Sequence, residues 1–392
     1  MVIFREYSLF VLSLGLYFLL LPAGIINLGS MGSLLKMYAV IPIAIRLLSG
    51  KFKNNFLTSF KTQLVLTIWV SLTYLWSIDK DMSWNRITSQ YMFVVLAFIV
   101  CTSDFQKKDI LLLKRCLIGS SIISAIIVLL FGVKSDNRLL LSDSTFAEDP
   151  NLLCSYFLFG FIHALDTMAV KPIVFSRFII KASEIVVYFF IVFSTGSRGG
   201  LLALIASLLV FLVQKNKISI KGLVLIFVLY LFFNIGLKLF VSEENKDRYT
   251  IENVQESGGT HRTEIWERAW DVYTDSSPFR QIFGYGYNTA RSIFDINRYE
   301  SRVMHNVFLE YLLECGLIGL IIYSISIGSF IKEAHKNNDY FSFSILLGFV
   351  CLSLSTNIIA FKPYWNIMLY SMCFTIYFRK ETLLEKNNDI NP

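Results

Sequence analysis

The first segment whose residue types could do chemistry is a short polar run between two apolar stretches. Residues 195–200 read Thr-Gly-Ser-Arg-Gly-Gly. Glycines allow the backbone conformations and the close approach that a tight turn at a membrane surface needs. Arg198 adds a permanently charged, planar guanidinium group that can form paired hydrogen bonds with phosphate oxygens. The run therefore predicts a turn with an anion-binding arginine, and an ordinary interfacial arginine in a hairpin is the alternative.

The second segment begins at Arg262 and has helical periodicity. Apolar side chains recur on one side of the predicted helix, at Ile265, Trp266, Ala269 and Tyr273. Charged side chains lie on the other side, at Glu264, Glu267, Arg268 and Asp271. This pattern predicts an amphipathic helix that lies on the membrane or on the spans beneath it. Arg262 falls near the N-terminus of that helix, where free backbone N–H groups favour an anion. A solvated charge is the alternative interpretation.

The third segment is His305-Asn306, where a polar stretch gives way to an apolar one. A histidine there can act as a general base, because its pKa lies near working pH. Histidines at such boundaries are also commonly inert. Glu310 and Glu314 follow one helical turn apart inside the apolar stretch, and carboxylates in such a place are functional candidates. Pairing with a neighbouring helix is the favoured alternative for both.

Two further motifs have structural interpretations. Asp149, Pro150 and Asn151 predict the start of a helix, with Asp149 as its cap and Pro150 at its first position. Residues 284–287 read Gly-Tyr-Gly-Tyr, which resembles a dinucleotide fingerprint but follows no strand of a βαβ unit. We expect a turn there.

The elements that must position these residues are membrane spans. Of the 392 residues, 55% are hydrophobic and only 17% are charged, and the mean hydropathy is +0.57. A soluble domain carries about 25% charged residues, so this composition predicts a multi-pass membrane protein. The 15% of aromatic residues suits lipid contact and interfacial belts. The net charge of +7 could indicate an anionic partner, but a surplus of Lys and Arg in cytoplasmic loops explains it as well.

The apolar stretches predict an all-α fold with about twelve transmembrane helices, since each crossing needs about 20 residues. The predicted spans are 7–26, 31–48, 62–78, 84–101, 111–132, 152–168, 178–194, 200–213, 218–240, 307–331, 341–360 and 364–378. With both termini in the cytoplasm, most Lys and Arg of the short loops fall on the cytoplasmic side. The chain then divides into spans one to nine (1–240), a large extracytoplasmic loop (241–304), and spans ten to twelve with a cytoplasmic tail (305–392).

No metal centre and no cofactor are predicted. The six cysteines lie in or at the edge of apolar stretches, with neither a CxxC pair nor a Cys/His cluster among them. Neither a zinc site nor a disulfide framework is therefore indicated.

Taken together, these motifs resemble the O-antigen polymerase and O-antigen ligase family of bacterial inner-membrane glycosyltransferases. The resemblance covers residues 149–323. It rests on the Asp149-Pro150-Asn151 element, the run at 195–200, Arg262 with Trp266 in a long outer loop, FGYGY at 283–287 and HNVFLEYLLECGLIG at 305–319. The first four or five spans match in hydropathy alone.

The resemblance implies a GT-C-like, metal-independent enzyme whose donor is a glycan linked through diphosphate to undecaprenol. Its implied catalytic residues are His305, Arg198 and Arg262. Its implied substrate-binding residues are Arg198, Arg262, Asn306, Trp266, Asn151 and Glu310. In the implied mechanism His305 takes a proton from an acceptor hydroxyl, while the two arginines bind the diphosphate.

The partners implied are the lipid-linked donor, a glycan acceptor and the bilayer, with a chain-length regulator and a flippase as further partners and no nucleic acid. We expect a polymerase, whose acceptor is another lipid-linked repeat; a ligase would use lipid A-core, and capsule or O-antigen is equally compatible. A lipid-linked oligosaccharide flippase is the rival from another class. A transporter should show repeat symmetry and charged or broken helices at mid-membrane, whereas the polar motifs here gather at one predicted surface.

Overall fold

The computed structural model describes residues 7–24, 37–50, 52–135, 138–141, 150–169, 174–214, 258–297, 304–358 and 362–390. Within these ranges the chain is helical apart from short turns and one hairpin. The helices of the first half are α1 (Leu9–Leu19), α2 (Val40–Ser49), α3 (Thr58–Thr73), α4 (Lys80–Cys101), α5 (Lys107–Phe131), α6 (Pro150–Ser155), α7 (Leu158–Ala169), α8 (Phe175–Ser194) and α9 (Arg198–Gln214). Those of the second half are α10 (Gly258–Thr274), α11 (Pro278–Phe283), α12 (Ala290–Ile296), α13 (Val307–Lys336), α14 (Tyr340–Ser353) and α15 (Lys362–Ile390).

Every predicted span except the ninth overlaps one of these helices; the ninth, at 218–240, lies outside the described residues. Among the described residues, α4, α5, the combined α6–α7 segment and α13 are long and apolar enough to cross a membrane. Shorter apolar helices are α1, α2, α9 and α14. The prediction of a mainly helical chain with several helices suited to a membrane is thus confirmed for the described residues.

A short antiparallel hairpin is the exception to the all-α prediction. Strand β1 (Val133–Ser135) pairs with β2 (Arg138–Leu140), with Val133 opposite Leu140. The hairpin follows α5 directly, and Leu139 and Leu141 are buried. Pairing satisfies backbone groups that an isolated short loop would leave to solvent, which sequence periodicity over so few residues does not reveal.

The chain divides into two compact units. The first holds the described parts of Met1–Ile41, Leu111–Glu256 and Tyr340–Leu352. Its helices approach closely at small residues: a Cβ on Gly160 would meet the Tyr188 ring, and one on Gly348 would meet Ser207 Oγ. Small residues at such crossings let apolar helices pack tightly, as they do in membrane bundles.

The second unit holds the described parts of Pro42–Ile110, Ser257–Asp339 and Ser353–Pro392. Its central pair is α3 and α13, fixed near the end of α13 by Glu333. That carboxylate accepts hydrogen bonds from Thr58 N at 3.0 Å, Ser59 Oγ at 2.6 Å and Arg379 Nη2 at 3.1 Å. The opposite end of α13 carries the predicted outer loop.

The described part of that loop has a small core of its own. Ile265, Ala269 and Val272 of α10 pack with Ile293 and Phe294 of α12, together with Met304 and Leu313. Glu264, Glu267 and Asp271 are exposed on the other side of α10. The predicted amphipathic helix is confirmed, and its apolar face packs on α12 and α13.

Helix α13 is broken at Gly316, which has φ 70° and ψ −177°. The carbonyls left over by the break accept hydrogen bonds from two segments. Leu313 O accepts from Tyr285 N at 3.0 Å, Glu314 O from Gly286 N at 2.8 Å, and Cys315 O from Trp69 Nε1 at 3.1 Å. Every one of these three carbonyls therefore has a protein donor, as a break in an apolar environment requires.

Gly284 and Gly316 face each other across this junction. Gly284 has φ 80°, and a Cβ there would lie 2.3 Å from Glu314 O; a Cβ on Gly316 would lie 2.1 Å from Ile282 O. Both positive φ values and both backbone contacts exclude a side chain. The predicted turn at 284–287 is confirmed, and the structure adds that it is attached to the broken helix.

We predict that Gly316→Ala and Gly284→Ala each destabilise the protein by about 3 kcal/mol or more, because each combines a strained φ with a backbone clash. Thermal unfolding in detergent should show a midpoint lowered by several degrees. The matched control is Gly328→Ala on the same helix, where a Cβ meets nothing within 4 Å. Equal midpoints for Gly316→Ala and Gly328→Ala would contradict the account of the junction.

Candidate functional site

His305 lies in a strained turn directly before α13. Its φ is 52°, a left-handed value that residues other than glycine adopt infrequently. Met304 before it is completely buried, and His305 itself is half-buried. Such conformations persist only where the surroundings hold them, and they cluster at functional sites. The turn thus presents an imidazole at the end of a long apolar helix.

Asn306 begins α13 as its N-cap. Its Oδ1 accepts hydrogen bonds from Phe308 N at 3.0 Å and Leu309 N at 3.3 Å, and its carbonyl accepts from Glu310 N at 3.0 Å. Asparagine is among the best residues for this position, because its side chain satisfies N–H groups that the helix leaves unpaired. The side chain of Asn306 thus fixes the direction in which the chain enters α13.

Helix α10 brings Trp266 to the same turn. The Trp266 Nε1–H donates to Met304 O at 2.9 Å, one residue before His305. Arg262 lies one helical turn earlier on α10, on the same face as Trp266, and is half-buried. Trp266, His305, Asn306 and Glu310 are therefore brought together within one unit, and Arg262 belongs to the helix that supports them.

Glu314 ties the outer loop to α13. Its side chain is 3% exposed and accepts from Asn288 N at 2.7 Å and Ala290 N at 3.0 Å. Ala290 is the first residue of α12, so the carboxylate caps that helix and complements its dipole. The sequence favoured a neighbouring helix as the partner of Glu314, but the partners are backbone groups of a loop turn and of a short helix start.

Glu310 is 1% exposed and its carboxylate accepts a hydrogen bond from Asn357 Nδ2. Asn357 lies in the segment that follows α14. A connecting segment thus supplies the hydrogen-bond partner of Glu310. Two carboxylates one turn apart on α13 thus hold two different segments.

Arg86 completes this polar cluster and was not singled out in the sequence. Its Nε and Nη2 donate to Asn288 Oδ1 at 3.2 and 3.1 Å, and Asn288 Nδ2 donates to Met82 O at 2.9 Å. The Arg86 charge interacts favourably with both Glu310 and Glu314. A signal was present in the sequence, since Arg86 stands within the predicted span at 84–101, where a charged residue is a functional candidate.

A buried tyrosine stack lies beneath the loop. The rings of Tyr287 and Tyr311 are 5.9 Å apart, and those of Tyr311 and Tyr323 stack at 4.2 Å. Burial raises the pKa of Tyr287 above its ordinary value, so the phenol stays neutral at physiological pH. The stack is rigid apolar support for the turn at 284–290.

The first unit holds the other predicted elements. Gly196 has φ 62°, and Ser197 Oγ donates to Asn151 Oδ1 at 2.6 Å while accepting from Gly200 N at 2.9 Å. The predicted turn is confirmed, and Asn151 is attached to it. A Cβ on Gly200 would lie 2.4 Å from Cys154 Cβ, so glycine lets α6 approach. Asp149, the predicted helix cap, lies outside the described residues, whereas Pro150 is the first residue of α6 as predicted.

Arg198 is the first residue of α9, and both its terminal guanidinium nitrogens are buried. A cation at a helix N-terminus meets the positive end of the helix dipole. The guanidinium and the positive end of the helix dipole therefore concentrate positive charge beside the 195–197 turn. This arrangement is complementary to an anion.

We predict that Glu314→Gln loosens the loop locally. The neutral amide accepts more weakly and can satisfy at most one of the two buried N–H groups well, and such a loss costs about 1–3 kcal/mol. Hydrogen–deuterium exchange of residues 288–296 should become at least about tenfold faster. Glu267→Gln, on the exposed side of α10, is the control and should leave that exchange unchanged. Unaltered exchange in Glu314→Gln would contradict the assigned role.

Comparison with known proteins identifies the segment that carries most of these residues. Residues 185–324 match the family model described as O-antigen ligase. One chain of a solved structure, from work on the coordination of polymerization and crosslinking by a peptidoglycan synthase complex, aligns over 81% of this chain and 97% of its own at 14% identity, with a TM-score of 0.49. No curated protein matches the sequence. Residues 185–324 therefore match the O-antigen ligase family, and the resemblance read from the sequence is confirmed for that segment.

Proposed function

We propose that this protein is a metal-independent glycosyltransferase that moves a glycan from undecaprenyl diphosphate to the sugar hydroxyl of another lipid-linked repeat. The observation that carries the proposal is the strained His305 turn within a segment that matches the O-antigen ligase family. The same segment contains Arg198, Arg262, Asn306 and Glu310. The strained backbone of His305, inside the matched segment, is what supports this histidine as the base.

The proposed role of His305 is general base. As the acceptor oxygen attacks the anomeric carbon, the neutral imidazole takes the hydroxyl proton. A new bond forms between the acceptor oxygen and the anomeric carbon, and the bond from that carbon to the diphosphate oxygen breaks. Direct displacement inverts the anomeric configuration. The leaving group is undecaprenyl diphosphate.

The proposed role of Arg198 and Arg262 is to bind the diphosphate and stabilise the negative charge that grows on it as the bond breaks. The place of Arg198 at the first residue of α9 supports this role, because the N-terminus of a helix favours an anion. Arg262 is on the helix whose Trp266 holds the His305 turn. Guanidinium groups bind phosphate oxygens in bidentate fashion, which adds orientation to attraction.

The proposed substrate-binding residues further include Asn306, Trp266, Asn151 and Glu310. In the cell the protein would lie in the bacterial inner membrane with about twelve spans, both termini in the cytoplasm and residues 241–304 on the extracytoplasmic side. There it would meet donors delivered by a flippase, together with a regulator of chain length.

Ligation to lipid A-core is the second candidate, and the description of the matching family favours it. The chemistry is the same and the acceptor differs. Deleting the gene and resolving the surface glycan by gel separates the two. Core capped with single repeats indicates a polymerase, whether for O-antigen or capsule, and core without any cap, with lipid-linked repeats accumulated on the outer leaflet, indicates a ligase.

The break in α13 bears on the rival transporter. Transporters use the free carbonyls of unwound helices to coordinate ions. In α13 the carbonyls of Leu313, Glu314 and Cys315 already accept from Tyr285, Gly286 and Trp69. This break therefore serves to attach the loop, which supports the enzyme over the flippase.

We predict that Arg198→Ala, Arg262→Ala and His305→Ala each lower turnover by about 10²-fold or more, because each removes charge stabilisation or proton transfer. Purified protein in nanodiscs would be given an undecaprenyl-diphosphate-linked oligosaccharide, and the products counted by mass spectrometry. Arg291→Ala, at an exposed position on α12, is the matched control and should keep wild-type turnover. Wild-type turnover in both Arg198→Ala and Arg262→Ala would defeat the proposed roles.

A further inference from the structure

We infer that α11 lies in the interface of the membrane and binds a phospholipid. Its exposed side chains Phe279 and Ile282 lie among the acyl chains of the leaflet at the His305 end of α13, and Arg280 binds the lipid phosphate there. In the proposed topology this is the outer leaflet. The inference does not depend on glycosyl transfer. It adds that the predicted outer loop enters the bilayer at α11.

Contacts with two central helices fix the level at which α11 lies. Trp76 Nε1, just beyond the end of α3, donates to Phe283 O at 3.3 Å. On the side of α13, a Cβ on Gly316 would meet Ile282 O. The end of α11 therefore lies beside the end of α3 and beside the break in α13.

The lengths of the two helices place this level at a membrane boundary. The Glu333 carboxylate accepts from Thr58 N at 3.0 Å and from Arg379 Nη2 at 3.1 Å, and these polar groups mark one edge of the hydrocarbon core. From there, α3 and the 3₁₀ turn Tyr74–Trp76 rise about 30 Å. The α13 backbone rises about 25 Å from Glu333 back to Gly316. A hydrocarbon core is about 30 Å thick, so α11 lies at its other edge rather than in the water beyond.

Both central helices carry stripes of exposed apolar side chains at helical spacing. The stripes consist of Leu317, Ile321 and Ile325 on α13 and of Val65, Ile68 and Leu72 on α3. On helices that cross a membrane, such stripes face lipid. Phe279 and Ile282 are exposed and apolar as well, so the surface offered to acyl chains continues onto α11.

Arg280 supplies a positive charge at the level of the headgroups. Its Nη1 donates to Trp76 O at 3.1 Å and to Gly284 O at 3.2 Å, and its guanidinium carbon lies 4.9 Å from the centre of the Tyr285 ring. Both acceptors are neutral, and within the described ranges no carboxylate forms an ion pair with Arg280. A guanidinium has five N–H groups, so others remain for a phosphate. An anionic phosphate above acyl chains is the chemistry of a phospholipid.

Electron paramagnetic resonance measures the depth of α11 in the full-length protein. A nitroxide is attached to p-acetylphenylalanine encoded at position 279 or 282, and the protein is placed in nanodiscs of phosphatidylethanolamine and phosphatidylglycerol. Power saturation compares collisions with oxygen, which concentrates in the bilayer, and with a water-soluble nickel chelate. We expect an oxygen-to-nickel ratio at least about fivefold above that of a label at Glu267, on the exposed side of α10. A label at Ile321 gives the reference for lipid contact.

A ratio at positions 279 and 282 equal to that at 267 overturns the inference. Labels that are shielded from both reagents and show spin–spin broadening would place a second copy of this chain on α11, and they overturn it as well. Both side chains are exposed, so labelling should leave the thermal midpoint at its wild-type value. The expected ratio in a protein that transfers no glycan upholds the inference and defeats the proposed function instead.

Photocrosslinking tests the phosphate contact of Arg280. Phosphatidylglycerol with a diazirine in its acyl chain is added to the nanodiscs, and crosslinked residues are mapped by mass spectrometry. Arg280→Gln should lower the yield at 279–283 by at least about threefold relative to the yield at Ile321, because a charge-assisted hydrogen bond is lost. Arg291→Gln, which removes an exposed arginine of α12, is the matched control and should leave the relative yield unchanged.

Three results would contradict the phospholipid contact. The first is an unchanged relative yield in Arg280→Gln. The second is a fall in both the yield and the oxygen-to-nickel ratio at position 282, which would mean that Arg280 only holds α11 in place. The third is loss of the wild-type crosslink when undecaprenyl diphosphate is added in equal amount, which would mean that α11 takes the donor lipid.

Discussion

The structure of the second unit depends on one interrupted helix. At Gly316 the backbone of α13 leaves the helical conformation, and the carbonyls of residues 313–315 must find donors elsewhere. They find them in the turn at 285–286 and in Trp69. In an apolar environment an unpaired carbonyl costs several kcal/mol, so the loop and the helix cannot separate without exposing these groups. The break therefore makes the outer loop a fixed part of the unit.

The same helix supports the candidate site above the break. Glu314 holds the start of α12, Glu310 accepts a hydrogen bond from Asn357, and Asn306 caps the helix. Polar groups that are expensive to bury are thus concentrated within two turns of one helix end, where Glu310, Glu314 and Asn306 each accept hydrogen bonds. Such a cluster fixes a unique arrangement when it is satisfied. This explains how a long loop can present a histidine in a defined, strained conformation.

Much of the fold follows from hydropathy and periodicity. The sequence predicted most of the described apolar helices, the amphipathic helix α10 and the turns at 195–200 and 284–287, because each depends on local apolar spacing or on glycine. The start of α13 near His305-Asn306 could be predicted as well, because a polar stretch gives way there to an apolar one. What the sequence did not show depends on distant partners. Gly316 looks like any glycine in an apolar run, and only the approach of Gly284 makes it a break.

The sequence did not predict the polar cluster for a similar reason, because its members come from distant parts of the chain. Arg86, Asn288 and Asn357 are far apart along the chain, and none has a local pattern that links it to Glu310 or Glu314. Burial of the two glutamates required partners, but their identity is a property of the folded unit. The β hairpin at 133–140 escaped prediction because strands of three residues carry too little periodicity.

The central claim is that this chain itself breaks the bond between a glycan and undecaprenyl diphosphate. The most direct measurement counts the lipid product: purified protein is incubated with a labelled lipid-linked repeat, with a metal chelator present, and released undecaprenyl diphosphate is compared with new glycosidic bonds. The account predicts one diphosphate lipid released for each bond formed, undiminished by the chelator. Donor that crosses the bilayer intact, with no diphosphate lipid released, would contradict it.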